Sequence, residues 1–350
     1  MNRCIRIVQS LLYYFNLIGL GALLLAATLA ALPLLAASPA PEKPALAPSE
    51  IVAAAPAGDW VAIAPADLLV MDLAADAQGR ARRVVIQLMP APFLQGWIGN
   101  IRKLAAAHWW DGLSVNRVQD NYVAQWGDAD GEDKARAKPL PAGLMLPSER
   151  EYSIRLEALF PAHDAKQIST PADVEKWVTP DQKFAASLPR MADAYAPSVF
   201  HHRGWPLAGD MDRYWPVHCY GAVGVGRGMS PDTGSGAELY AVIGHAPRHL
   251  DRNIAVIGRV IEGIEHLSAL PRGSEALGFY KTPQERTAIT SIRMGTDVKD
   301  LPRYQYLSTE SQSFARYADA RANRRDAFFI TPAGGADICN IPIPIRRAKD

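Results

Sequence analysis

Three cysteines in 350 residues leave no room for a disulfide framework. Cys4 sits in an N-terminal apolar stretch, so the body of the chain has Cys219 and Cys339. An even pair permits one disulfide and equally permits two buried thiols, because bridging depends on a Cα separation that position along the chain does not give. Net charge is also nearly absent, with 37 Lys and Arg against 36 Asp and Glu. No basic field draws in a polyanion and no basic stripe is interleaved with aromatics, so nucleic acid is not an expected partner. Regular metal-ligand spacing is missing as well. His201, His202, His218 and Cys219 follow no ligand pattern, and Pro247 denies His245 and His249 the helical turn that would aim both at one zinc. Gly224-Val225-Gly226-Arg227-Gly228 has the glycines of a phosphate loop without its spacing or a following helix. Neither a metal nor a cofactor is expected, and no internal repeat is found.

What the chain does have begins with Arg3 and Arg6, followed by a charge-free stretch from Ile7 to Pro41 whose apolar heart is Leu17 to Leu35. A positive start, an apolar middle and the small residues Ala36, Ala37, Ser38 and Ala40 read as a secretory signal over 1–40. A retained membrane anchor is the alternative, since the stretch approaches the ~20 residues that span a bilayer. Either way the bulk of the chain is expected to be exported, into the periplasm if the source is bacterial. Residues 41–59, rich in Ala and Pro, read as a linker. Two β-rich segments, Leu68 to Leu73 and Arg83 to Leu88, flank the turn formers Asp76, Gln78 and Gly79 and predict a hairpin. Pro90 and Pro92 then introduce a helix whose Phe93, Trp97, Ile101 and Leu104 form one buried stripe. Strands follow at Leu113 to Val118, Tyr122 to Trp126, Gly221 to Val225, Glu238 to Ile243, Ala255 to Val260 and Thr287 to Met294, with a helix from about Gly263 to Leu270. An α-containing insertion over about 131–216 is expected to hold helices starting at Thr170-Pro171 and Thr179-Pro180. In the C-terminal extension, 297–350, Thr309 with Gln312 caps a helix through Arg324, and Ile341 to Ile345 is extended by its alternating prolines. The class is mainly β with two principal helices, and antiparallel strands of this length commonly close into a barrel that leaves no exposed edge.

The informative segments are Asp111-Gly112-Leu113-Ser114-Val115-Asn116-Arg117-Val118, running into Tyr122-Val123-Ala124-Gln125-Trp126-Gly127-Asp128, and Pro231 to Tyr240, continuing through His249-Leu250-Asp251 to Val256-Ile257-Gly258-Arg259-Val260-Ile261-Glu262-Gly263. Together they resemble the two active-site blocks of the cyclophilin-type peptidyl-prolyl isomerases, over about Leu68 to Met294 once the insertion is set aside. The resemblance implies an eight-stranded closed antiparallel barrel over 60–296 that acts as a monomer on proline-containing polypeptides. It implies that Arg117 is the arginine that touches the substrate proline and Gln125 the glutamine that holds it. Tyr122 and Tyr240 stand where the family usually has pocket phenylalanines. Val123 and Leu250 match further pocket positions, and Gly226 and Arg227 match the segment that pairs with the peptide backbone. Three residues depart from the pattern: Asn116 replaces the histidine before the arginine, His249 stands where some members have a tryptophan, and Ile254 where many have a histidine.

The implied chemistry needs no nucleophile. An X-Pro bond rotates over a barrier of ~18–20 kcal/mol set by amide resonance. Resonance falls as the prolyl nitrogen regains its lone pair, so a guanidinium aimed at that nitrogen binds the twisted state more strongly than either planar one. Shortening tens of seconds to milliseconds takes about 5–6 kcal/mol. The departures keep a second reading open, a proline-peptide-binding module or chaperone of low activity in the cell envelope.

Overall fold

The computed structural model describes residues 45–159, 193–210 and 212–348. The chain divides between Lys43 and Pro44, and the description concerns the unit Pro44–Asp350. The apolar leader and the helices expected at Thr170-Pro171 and Thr179-Pro180 lie outside the described residues.

Eight strands close a barrel: β1 (Leu68–Leu73), β2 (Arg82–Leu88), β3 (Ser114–Val118), β4 (Val123–Gly127), β5 (Ala222–Val225), β6 (Leu239–Val242), β7 (Val256–Glu262) and β8 (Thr287–Met294). Their order around the barrel is β5-β6-β4-β3-β8-β1-β2-β7, every pair is antiparallel, and β7 returns to β5. The period of two along each strand sorts the side chains. Met71, Ile86, Trp126, Leu239, Ala241 and Ile257 join the main core, whereas Val123, Tyr240, Val242 and Val256 pack together as a separate cluster on the other face of their strands.

Four helices are described: α1 (Pro48–Ala53), α2 (Gln95–Ala106), α3 (Glu265–Ser268) and α4 (Gln312–Ala322). The stripe expected on α2 is buried, with Trp97, Ile101 and Leu104 fully shielded. This helix also anchors the second motif. Trp97 Nε1 donates to the carbonyls of Thr233 and Gly234, and Asn100 Nδ2 donates to Ser235 O, which docks the loop leading into β6.

Several elements differ from the sequence-based expectation. The Ala/Pro-rich 41–59 stretch contains α1, which starts with proline at its first position and packs Ile51 and Val52 against Trp60, Leu307 and Phe314. The described part of the insertion adds strands that the sequence reading did not assign: Ile154–Arg155, Ser198–His202, Trp205–Gly209 and Arg213–Pro216 form a four-stranded antiparallel sheet. The Gly263 to Leu270 helix shrinks to the single turn of α3. Helix α4 is capped by Ser311, whose hydroxyl accepts the Phe314 N–H, and not by Thr309, whose hydroxyl accepts Gly204 N–H instead. In the tail, the segment after the alternating prolines becomes a strand: Ile345–Arg347 joins Tyr304–Leu307 and Trp60–Ile63 in a three-stranded sheet, and Pro344 O accepts the Leu307 N–H. Tyr304 packs with Leu68 and Val85, so β1 and β2 are covered on both faces.

Cys219 and Cys339 are bridged, with their Cα atoms 5.1 Å apart, and so the open choice resolves to a disulfide. The bond ties the tail to the approach to β5 beside a small core of Val199, Trp215, Val217 and Ile338.

Candidate active site

The site grows from an irregularity in β3. Val115 pairs with Trp126 and Arg117 with Gln125, so Asn116 is an extra residue and the ladder bulges there. A bulge re-aims the side chain beside it. Arg117 thereby comes to lie opposite Gln125, which shares the non-core face of β4 with Val123.

Three oxygens hold the guanidinium. Nε donates to Leu277 O at 2.7 Å, Nη1 to Gln125 Oε1 at 3.2 Å, and Nη2 to Gln119 Oε1. Its carbon lies 5.7 Å from the Tyr122 ring centre and 5.3 Å from that of Phe279, so two aromatic faces flank the cation. Among the described residues no carboxylate pairs with it. Burial lowers the Arg117 pKa, with Tyr122 and Tyr240 opposing.

Beside the arginine, Val123, Tyr240, Val242, Ala222 and Val256 form an apolar patch joined by half-buried Tyr122 and Ile254. Thus Arg117, Gln125, Tyr122, Val123, Tyr240 and Ile254 converge. Gly226 donates its N–H to Glu238 O at 2.8 Å at the end of β5. Arg227 next to it turns its guanidinium to Asn253 O and Gly228 O. Leu250 and His249 belong to the turn Arg248–Leu250, the first half-buried and the second exposed, and are not members of the apolar cluster.

Behind the patch runs a buried polar relay that the motif comparison missed. The Tyr240 hydroxyl is 2.9 Å from His218 Nε2, and His218 Nδ1 is 2.9 Å from Asp251 Oδ1. A carboxylate accepts, so Nδ1 donates to it and Nε2 accepts a hydrogen bond from the Tyr240 O–H. Asp251 Oδ2 in turn receives Arg248 Nε at 2.6 Å, and Arg248 Nη1 donates to Asp193 at 2.6 Å. Burial holds the Tyr240 phenol well above its ordinary range. The signal for this relay was the tyrosine in a phenylalanine position, since a buried phenol needs a partner. Phe279 and Leu277 were also missed, because they reach Arg117 from far along the chain, as was Glu238, which lies under Gln125.

Among the described residues no group of three or more His, Cys, Asp or Glu is arranged to hold a metal ion. His218 is engaged in the relay, Cys219 in the disulfide, and His201 Nε2 contacts Ile341 O.

The architecture is a cyclophilin barrel. It resembles the crystal structure of cyclophilin AquaCyp293 from Hirschia baltica with a TM-score of 0.57 and 19% identity, covering 83% of this chain and 95% of that one, a likeness in fold. A looser match is a cyclophilin-type isomerase from Cryptosporidium parvum, with a TM-score of 0.36 and 11% identity, covering 65% and 97%. None of the curated proteins compared matches the chain. The model of the cyclophilin-type peptidyl-prolyl cis-trans isomerases matches residues 96–294, more than half of the chain. The chain belongs to that family and is a peptidyl-prolyl cis/trans isomerase.

Proposed function

We propose that the isomerase turns X-Pro bonds of exported polypeptides with Arg117 as the catalytic group, Gln125 as its support, and Tyr122, Val123, Tyr240 and Ile254 as the seat of the proline ring. The observation that carries this reading is the state of Arg117: a cation held by three neutral oxygens, flanked by two rings and paired with no carboxylate among the described residues. Such a guanidinium keeps its charge available for a prolyl nitrogen whose lone pair is returning, and it needs no reorganisation when the amide twists. The apolar patch supplies a dry surface that fixes the ring while the preceding carbonyl rotates. Gly226 and Arg227 at the end of β5 offer backbone to the peptide, while Leu250 and His249 form an outer rim.

The test is cis-to-trans exchange of a short proline peptide followed by NMR with the purified protein. Exchange at the uncatalysed rate would overturn the reading and favour a proline-peptide binder. Export rests on the charge-free leader after Arg3 and Arg6. Cell fractionation with sequencing of the mature N-terminus checks it, and full-length protein in the cytosol would refute it.

A further inference from the structure

Beneath Gln125 lies a carboxyl group that the isomerisation chemistry does not use. Glu238 occupies the residue before β6, and its Oε1 accepts the Asp128 N–H at 2.6 Å. A Cβ at Gly226 would fall 3.5 Å from Gln125 Nε2, so this amide nitrogen borders the same place, and the amides of Gln125 and Asn116 favour the ionised form of the carboxyl. Two glycines make room for it. A Cβ at Gly127 would fall 2.1 Å from Glu238 Oε1, and one at Gly226 would fall 2.9 Å from the Glu238 Cβ. The place is therefore shaped around this side chain, between the strand that carries the supporting glutamine and the segment offered to the peptide.

We infer that Glu238 is a positioning residue, whose ionised carboxylate orients the Gln125 amide so that its oxygen faces Arg117, making the isomerase rate depend on one proton. This rests on the assignment of Arg117 and Gln125 proposed above. An amide has a fixed polarity: with Oε1 accepting from Arg117 Nη1, Gln125 presents Nε2–H to the other side, where Glu238 stands. A carboxylate is a charge-assisted acceptor for that N–H and holds the amide in one orientation. A protonated acid is a weaker acceptor and carries a donor of its own, so the amide loses its reason to keep its oxygen toward Arg117.

The cluster has a destination for the proton. Glu238 Oε2 and Asn116 Oδ1 are both shut from solvent and, among the described residues, have no hydrogen-bond donor. Burying oxygens without donors is costly, and one proton on the carboxyl supplies the missing donor. Burial, with Asp128 adding repulsion, raises the Glu238 pKa from 4.5 to about 7 against the opposing effect of the Asp128 N–H bond and of the amides of Gln125 and Asn116. The charged residues on the packed elements are few. Arg117 lies on β3, Asp128 follows β4, and Arg227 follows β5 with its guanidinium bonded to Asn253 O and Gly228 O. β4 and β6 themselves carry no charged residue. Asn116, which departs from the family histidine, and Glu238 thus form one unit under the catalytic pair.

The experiment measures kcat/KM between pH 5.5 and 8.5 by NMR exchange of a proline peptide that does not titrate in that range. It is read alongside the carboxyl carbon of Glu238 and the Nε resonance of Arg117. We expect kcat/KM to rise about threefold to tenfold through a single ionisation near pH 7, the size set by exchanging one charge-assisted hydrogen bond for a neutral one. The Arg117 signal should follow the carboxyl. Glu238→Gln should give a flat profile near the low-pH level, which separates this carboxyl from every other titrating group. An active wild type with a flat profile overturns the inference, as does a Glu238→Gln variant that keeps the inflection, or a Glu238 carboxyl that titrates at its ordinary value. If the variant does not fold, the wild-type carboxyl and Arg117 resonances decide alone. A wild type inactive at every pH would sink the functional reading instead, and an Arg117 resonance that ignores the carboxyl titration would then sink this inference too.

Discussion

Replacing Tyr240 by phenylalanine makes the pocket wall more like its relatives and should make this protein less stable. The substitution removes a single oxygen and leaves the ring, so packing against Val123 and Val256 is retained. What is lost is the hydroxyl bonded to His218 Nε2, on a ring with no exposure to solvent. His218 cannot turn to find another donor, because its backbone N–H and Nδ1 are both bonded to Asp251 Oδ1, and Asp251 is itself clamped by Arg248. The variant therefore strands a buried acceptor, a cost of about 1–3 kcal/mol. Urea unfolding followed by tryptophan fluorescence should show a lower midpoint at unchanged slope, the sign of lost stability and not of a changed denatured state. Removing both partners, with His218→Leu added, should give a double-mutant coupling of about 1 kcal/mol or more. The isomerase rate should change little, since the wall survives. A stability loss below about 0.5 kcal/mol, within the range of an ordinary surface change, would refute the claim that the relay is a closed set of satisfied bonds.

Three further outcomes follow from the same geometry. Arg117→Ala should lower kcat/KM about a hundredfold to a thousandfold, roughly 3–4 kcal/mol, with circular dichroism unchanged, and Arg117→Lys should rescue little because an ammonium cannot serve Leu277 O, Gln125 and Gln119 from one plane; retention of half the wild-type rate by NMR exchange would remove Arg117 from the mechanism. Oxidised, denatured protein should contain no titratable thiol from Cys219 or Cys339, and reduction should cost about 4–5 kcal/mol in the chain-entropy model for a separation of 120 residues; unchanged urea stability after reduction would contradict it. Glu238 has a folded pKa of about 7 against an ordinary 4.5, so its contribution to stability is fully present below pH 4.5 and is lost as pH rises through 7; Glu238→Gln should accordingly flatten the loss of up to about 3 kcal/mol that the wild type shows between those pH values in urea titrations, and equal slopes would count against a buried acid at this position.

The barrel was legible because its strands carry a local signal. β1, β2 and β8 fall where the apolar patterning puts them, and the α2 stripe of Trp97, Ile101 and Leu104 is the plug that its spacing implies. What escaped depends on partners distant in the chain. α1 is a six-residue helix, too short to persist by itself, and it exists because α4 offers a face more than two hundred residues later. The capping pattern before α4 contained two acceptable hydroxyls, and Thr309 was taken by Gly204 N–H from the inserted sheet, leaving the cap to Ser311. Strands of the insertion contain Pro206 and Pro216, which weigh against strand assignment from sequence, yet both fit within a small four-stranded sheet.

At the site the division is sharper. Arg117 and Gln125 could be named because they stand eight residues apart in one hairpin and carry the family pattern. The groups that set their behaviour come from elsewhere: Leu277 and Phe279 from the segment before β8, Glu238 from the loop docked on α2, and His218 from the approach to β5. Two departures from the family pattern have a structural counterpart, since Asn116 lies by the Glu238 carboxyl and Tyr240 faces His218. A substitution that adds a polar atom to a buried site has to bring a partner with it, so each of these two departures is one half of a pair whose other half lies far along the chain. Changing Asn116 alone back to the family histidine should therefore not restore a family-like pocket, because the Glu238 carboxyl would remain beneath Gln125.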